Sequence, residues 1–198
     1  RRMIAAALKQ PALVVALAAT LAGCGFSETV EEFGGPAQGS TYSVKYVSGK
    51  GVPDKASLKA DVEAIFAEVD EQMSTYRDDS LIEQFNRAPA GTCMPMPAGV
   101  LQLVQTGNAL HRDSGGAFDL TLEPLLDLWG FGPHGNGERV VPDGEALKEV
   151  RDRIGQDHLH VDGDRLCKDI DLQVDFNSIA AGYTVDRIIT KLVERGVS

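Results

Sequence analysis

Positive charge is scarce in this chain of 198 residues: 19 lysines and arginines stand against 29 aspartates and glutamates, for a net charge of −10. That balance excludes the basic footprint of a nucleic-acid-binding surface. An anionic ligand must instead be met by backbone donors or by a metal. Cysteine is nearly as rare, three in all and none in a CxxC pair, which argues against a paired-cysteine metal site. The stretch from Asp175 to Gly182 holds no GxGxxG or P-loop phosphate motif, and no serine lies in a GxSxG elbow. Neither His111 nor His134 is tied by spacing to a serine and an acid, which disfavours a Ser-His-Asp hydrolase. Internal repeats and low-complexity tracts are absent, and the apolar run over residues 11–22 falls short of the ~20 residues of a membrane-spanning helix.

That run reads better as the hydrophobic part of a signal peptide. Arg1, Arg2 and Lys9 precede it, and it ends Leu21-Ala22-Gly23-Cys24, which resembles the lipobox of bacterial lipoproteins with Cys24 as the lipidated residue. The alternative is an ordinary signal or a buried N-terminal helix. Residues 1–23 are expected to be the signal peptide, and residues 24–40, polar and rich in Gly and Pro, a tether. The expected location is the periplasmic side, lipid-anchored to the inner or outer membrane of a Gram-negative bacterium. Loss of residues 1–23 removes three basic and no acidic residues and takes the net charge to −13. Cys93 and Cys167 then remain, to pair in an oxidising compartment or to stay as buried thiols; their spacing leaves both readings open.

Residues 41–47 alternate apolar and polar side chains, the period of a half-buried strand. From Ser57, a plausible N-cap, Leu58, Val62, Ile65, Phe66, Val69 and Met73 fall at helical spacing. Further helices are predicted over residues 99–112, over 144–154 with a stop at Gly155, and beyond Tyr183 with Val185, Ile188, Ile189, Leu192 and Val193 inward. Residues 158–167 read as a hairpin turning at Asp162-Gly163, with His158 and His160 on one strand face, as solvent-facing imidazoles in preference to metal ligands. Residues 170–175 alternate again. Helices and strands intermix without strict βα alternation, so the expected class is α+β with antiparallel strands.

Two stretches stand out for chemistry. Asp175-Phe176-Asn177-Ser178-Ile179-Ala180-Ala181-Gly182 delivers the chain to a helix N-terminus of small residues, where free amides and the dipole favour an anion such as a phosphate. Plain capping by Asp175, Asn177 or Ser178 is the competing reading. The second is GGAFDLTLEPLLDLWGFGP, residues 115–133, which holds the chain's one tryptophan. Gly115-Gly116 lets the chain turn, and Ala117, Phe118 and Asp119 then present a ring, a carboxylate and backbone groups together. Trp129 and Phe131 form either a wall for a planar ligand or an aromatic minicore under a loop.

Met73-Ser74-Thr75-Tyr76 with Ser80 and Asn86, then Gly116-Ala117-Phe118-Asp119 with Pro124-Leu125 and Trp129-Gly130-Phe131-Gly132, then Asp175 through Asp186, resemble the ApbE family in order and spacing. The resemblance implies an FAD:protein FMN transferase. Such an enzyme, with Mg²⁺, splits the pyrophosphate of FAD, joins FMN by a phosphoester to a Ser or Thr of a target flavoprotein and releases AMP. The implied targets are subunits of respiratory electron-transport complexes. An FAD-binding flavin carrier without transferase activity and an FAD pyrophosphatase giving FMN and AMP are the alternatives. By the same resemblance Tyr76, Ala117, Phe118, Asp119 and Asp175 bind the flavin nucleotide, and Ser178 supplies a metal ligand through its main-chain oxygen. Gln38 stands where the family usually has Met, and Ala181 where it often has Lys. Residues 41–198 are expected to be the N-terminal part of an ApbE-like fold, with further metal ligands, an Asp and a Thr, in a later half.

Overall fold

The computed structural model describes residues 29–134 and 141–197. Residues 1–23, expected to be a signal peptide, and Cys24 lie outside the described residues. Among the described residues no helix is long and apolar enough to cross a membrane.

Thr29–Ala37 (β1) and Ser40–Ser48 (β2) form an antiparallel hairpin, Thr29 opposite Ser48 and Ala37 opposite Ser40. Gln38 and Gly39 make its turn, both at positive φ (50° and 73°), as a two-residue loop matched to strand twist requires. The expected tether is therefore corrected: residues 29–37 are a strand. Their glycines serve close approach, since a Cβ at Gly34 would meet the Tyr42 carbonyl oxygen at 2.4 Å. Phe33 anchors the strand, buried against Tyr46 with ring centroids 5.9 Å apart.

Helix α1, Lys55–Met73, buries Leu58, Val62, Ile65, Val69 and Met73 in one stripe, each contributing about 1.5–3 kcal/mol of apolar burial. Its N-cap is Asp54, not Ser57: the Asp54 carboxylate accepts the Ser57 N–H at 3.0 Å. Short α2, Leu81–Asn86, follows, capped by Ser80. Cys93–Pro95 (β3) is the edge of a three-stranded sheet. Helix α3, Ala98–Asp113, buries Val100, Leu101, Leu103, Val104 and Gly107. Then come α4, Glu123–Leu128, and α5, Gly144–Arg151, capped by Asp143.

Leu159–Asp162 (β4) and Arg165–Lys168 (β5) form the expected hairpin, with Gly163 at φ 61°. All pairs in the β3-β5-β4 sheet are antiparallel. Cys93 sits opposite Cys167 on neighbouring strands, and the two form a disulfide. His158 and His160 are about half exposed, as read. The alternating residues 170–175 join no ladder; Leu172, Val174 and Asp175 are buried while the segment bonds to side chains and to Leu120.

Helix α6, Ala180–Glu194, closes onto α1, where Arg187 Nη2 meets Glu68 Oε2 at 2.6 Å. Its buried stripe is Thr184, Ile188 and Leu192, whereas Val185, Ile189 and Val193 are exposed. Each exposed residue follows a buried one, and one residue turns a side chain by about 100° around a helix of 3.6 residues per turn.

Candidate functional site

Where α3 ends, Gly116 N donates to His111 O at 2.8 Å and Gly115 N to Arg112 O at 3.1 Å, with both glycines at positive φ (88° and 64°). The reversal delivers Ala117 exposed, then Phe118 and Asp119 partly covered. His111 Nδ1 lies 2.7 Å from Phe118 O, and Phe118 N donates to Ser114 Oγ. The Asp119 carboxylate is held from within: Oδ1 accepts from Thr121 N (2.7 Å) and Thr121 Oγ1 (2.6 Å), and Oδ2 accepts from Gln156 N (3.3 Å). Gln156 Oε1 in turn accepts the Leu120 N–H at 2.6 Å. Asp119 thus fixes the shape of its own turn.

Asp175 is brought to this turn by one backbone bond, Asp175 N to Leu120 O at 2.8 Å. Its side chain accepts from Asn177 N (2.5 Å) and Asn177 Nδ2 (3.1 Å), closing a turn instead of capping the helix. Burial raises its pKa, with those two bonds opposing. Helix α6 has Ile179 at its N-cap position and no side-chain cap. Ala180 N donates to Phe176 O and Tyr183 N to Ile179 O, and Ser178 lies exposed in the turn between them. An uncapped helix N-terminus on the segment that Asp175 N ties to Leu120 O is an anion-receptive arrangement. A main-chain carbonyl is a hard oxygen donor of the kind Mg²⁺ takes.

Tyr76 is in the loop joining α1 to α2, and the residue is 68% exposed. Tyr76 N donates to Ser74 Oγ, and Ser80 Oγ donates to Ser74 O at 2.6 Å, which fixes the loop. The same α2 reaches the Asp175 segment through Asn86. Trp129 is half-buried and Phe131 is 56% exposed. A surface groove of about 380 Å³ lies elsewhere, lined by Ile65, Gln102, Tyr183, Asp186, Arg187 and Thr190 among others, and holds none of the candidate residues.

Three polar residues that sequence reasoning passed over, Glu83, Glu123 and Lys168, support the site together with Asn86, which it named only as a motif position. The two hydrogens of Asn86 Nδ2 are shared among Glu83 Oε1 (3.0 Å), Glu123 Oε2 (3.1 Å) and Val174 O (3.1 Å), and Asn86 Oδ1 accepts Val174 N (2.8 Å). Lys168, 1% exposed, donates to Asn86 O and Leu172 O, both at 3.0 Å, and its ammonium lies 5.2 Å from the Phe85 ring centre. Burial lowers its pKa. Glu123 is fully buried, and burial, then the charges of Glu83, Asp175 and Asp127, push its pKa up to about 9. A charged residue amid apolar neighbours, such as Glu83 between Ile82 and Phe85, is the sequence signal for such residues, but it names no partner.

An α+β domain with a glycine-led turn, a buried acid network and an open helix N-terminus has the equipment of a protein that binds a phosphorylated ligand. The chain belongs to the ApbE family, whose sequence profile matches residues 38–198. It is 37% identical over 187 residues to an FAD:protein FMN transferase of Vibrio cholerae, covering 93% of this chain and 56% of that protein. A second FAD:protein FMN transferase, from Haemophilus influenzae, is 33% identical, covering 91% and 54%. Among solved structures, the apo form of the Pseudomonas stutzeri flavinyl transferase ApbE superposes with a TM-score of 0.84 at 57% identity, covering 87% of this chain and 57% of that one. The chain spans a little over half the length of these relatives.

Proposed function

We propose that the full-length protein is an FAD:protein FMN transferase. It breaks the pyrophosphate of FAD, forms a phosphoester between FMN and a Ser or Thr hydroxyl of a target flavoprotein, and releases AMP. The observation that carries this reading is the Asp175 N to Leu120 O bond, which joins the segment leading into the uncapped α6 to the residue that follows the Phe118-Asp119 turn. The family membership and the names of the relatives support it. In this reading Tyr76, Ala117 and Phe118 contact the nucleotide, Asp119 and Asp175 shape its seat, and the α6 amides meet phosphate oxygens. Mg²⁺, held in part by the Ser178 main-chain oxygen, offsets charge on those oxygens when bound.

The Cys93–Cys167 disulfide supports a periplasmic location, because such bonds persist in oxidising compartments. It accords with the lipobox-like Leu21-Ala22-Gly23-Cys24 and with membrane-anchored targets of the electron-transport type. The test is to incubate full-length protein with FAD, Mg²⁺ and a flavoprotein acceptor domain, and to follow acceptor mass and released AMP. An FMN adduct with AMP is expected. AMP with free FMN and no adduct establishes the pyrophosphatase instead, and FAD bound intact establishes a carrier.

A further inference from the structure

Glu83, Glu123 and His134 come from three separate elements: α2, the first turn of α4 and the loop after α4. One ligand atom from each lies within 4.8 Å of the others. His134 Nε2 is 3.7 Å from Glu83 Oε2 and 3.6 Å from Glu123 Oε1. A tetrahedral ion with bonds of about 2.0–2.1 Å holds its donors about 3.4 Å apart, so the two separations from the imidazole need only a small inward shift.

The inner oxygens are already spoken for. Asn86 Nδ2 donates to Glu83 Oε1 and to Glu123 Oε2, which turns the other oxygen of each carboxylate toward the imidazole. This is the outer-shell support that orients ligating carboxylates. His134 is oriented too, because its backbone N–H donates to Asp127 Oδ1 at 3.0 Å. Arg87 Nη1 reaches Glu83 Oε2 only at 3.5 Å. An independent observation points to a missing partner: Glu123 is 0% exposed, yet its Oε1 has no hydrogen bond and aims at His134. A buried, unpartnered carboxylate oxygen costs free energy that a cation removes.

We propose that Glu83, Glu123 and His134 bind one divalent transition-metal ion of the zinc type. The imidazole selects such an ion over Mg²⁺, and the half-exposed His134 side leaves a position open to water. The ion ties α2 to α4 and fixes the loop carrying Trp129, Gly130 and Phe131, so its role is to position that loop.

The experiment is a competitive titration of metal-free full-length protein with Zn²⁺ against a chromophoric chelator, in millimolar Mg²⁺ so that hard oxygen sites are filled. His111 lies 4.0 Å from Asp119 alone, whereas His158 and His160 share Asp169 and are the pair of imidazoles able to compete for the ion, so the titration is repeated on the H158A/H160A variant. One Zn²⁺ per chain is expected, retained in H158A/H160A and bound at least tenfold more weakly by both Glu123→Gln and His134→Ala. No stoichiometric binding, binding lost with H158A/H160A, or a loss below tenfold in either ligand variant overturns the proposal. Should Glu123→Gln fail to fold, His134→Ala decides, since its side chain is 44% exposed and its removal leaves the core intact.

Discussion

The side-chain amide of Asn86 pairs with both backbone groups of Val174, accepting its N–H at 2.8 Å and donating to its carbonyl at 3.1 Å. One side chain thus does what a neighbouring strand would do, and it holds the segment that presents Asp175. The same amide bridges two buried carboxylates, so the Asp175 turn and the acid cluster share one support.

Asn86→Ala leaves the Val174 N–H and carbonyl and both glutamates short of partners in a buried place. Unsatisfied buried groups cost about 1–3 kcal/mol each, and an overall loss of about 3 kcal/mol is expected. Urea unfolding with an unchanged slope reads this directly. A loss below about 1 kcal/mol would show that water replaces the amide.

Glu123 gives the metal-free protein a pH dependence of definite sign. Its pKa is about 9 in the fold against an ordinary 4.5. Between those values the folded state binds the extra proton, so this group makes stability fall as pH rises through the window. Below 4.5 the contribution is fully present. The slope is at most about 1.4 kcal/mol per pH unit. Unfolding in EDTA from pH 5 to 8.5 should show that decline in the wild type and a flatter profile in Glu123→Gln; parallel profiles would place the titration elsewhere.

Tyr76 and Asp119 separate contact from scaffolding. Tyr76 is 68% exposed, so Tyr76→Ala should change stability by less than about 0.5 kcal/mol while weakening FAD retention. Asp119→Ala should lower both, with about 2 kcal/mol of lost stability, because Thr121 and Gln156 lose their acceptor. Equilibrium dialysis with FAD beside thermal melts distinguishes them. Equal melts for the two variants would contradict the scaffolding role.

The Cys93–Cys167 bridge closes a loop with a sequence separation of 74 residues. On the chain-entropy account its removal costs about 4 kcal/mol. Cys93→Ser with Cys167→Ser should show that loss in denaturant midpoint, as should the reduced wild type, and agreement between the two isolates the cross-link from the side-chain change.

Much of the local structure was legible in the sequence because it depends on neighbours along the chain. Helical spacing from Leu58 to Met73, the Asp162-Gly163 turn and the glycine-led reversal after α3 follow from side-chain period and backbone sterics. The strand at residues 29–37 was not legible, because its glycines look flexible until Tyr42 is placed against Gly34. Residues 170–175 alternate like a strand, yet their backbone partners are the Asn86 side chain and Leu120.

By itself, then, the sequence determined the α+β class, the order of most elements and the ordered motifs that mark the family, since these rest on contacts a few residues apart. Only the tertiary structure decided that Cys93 meets Cys167, that Asp119 is held by Gln156, and that His134 lies beside Glu83 and Glu123. Those pairings join residues from 11 to 74 positions apart. No local period encodes them, and they appear only when the burial of one common core brings the elements together.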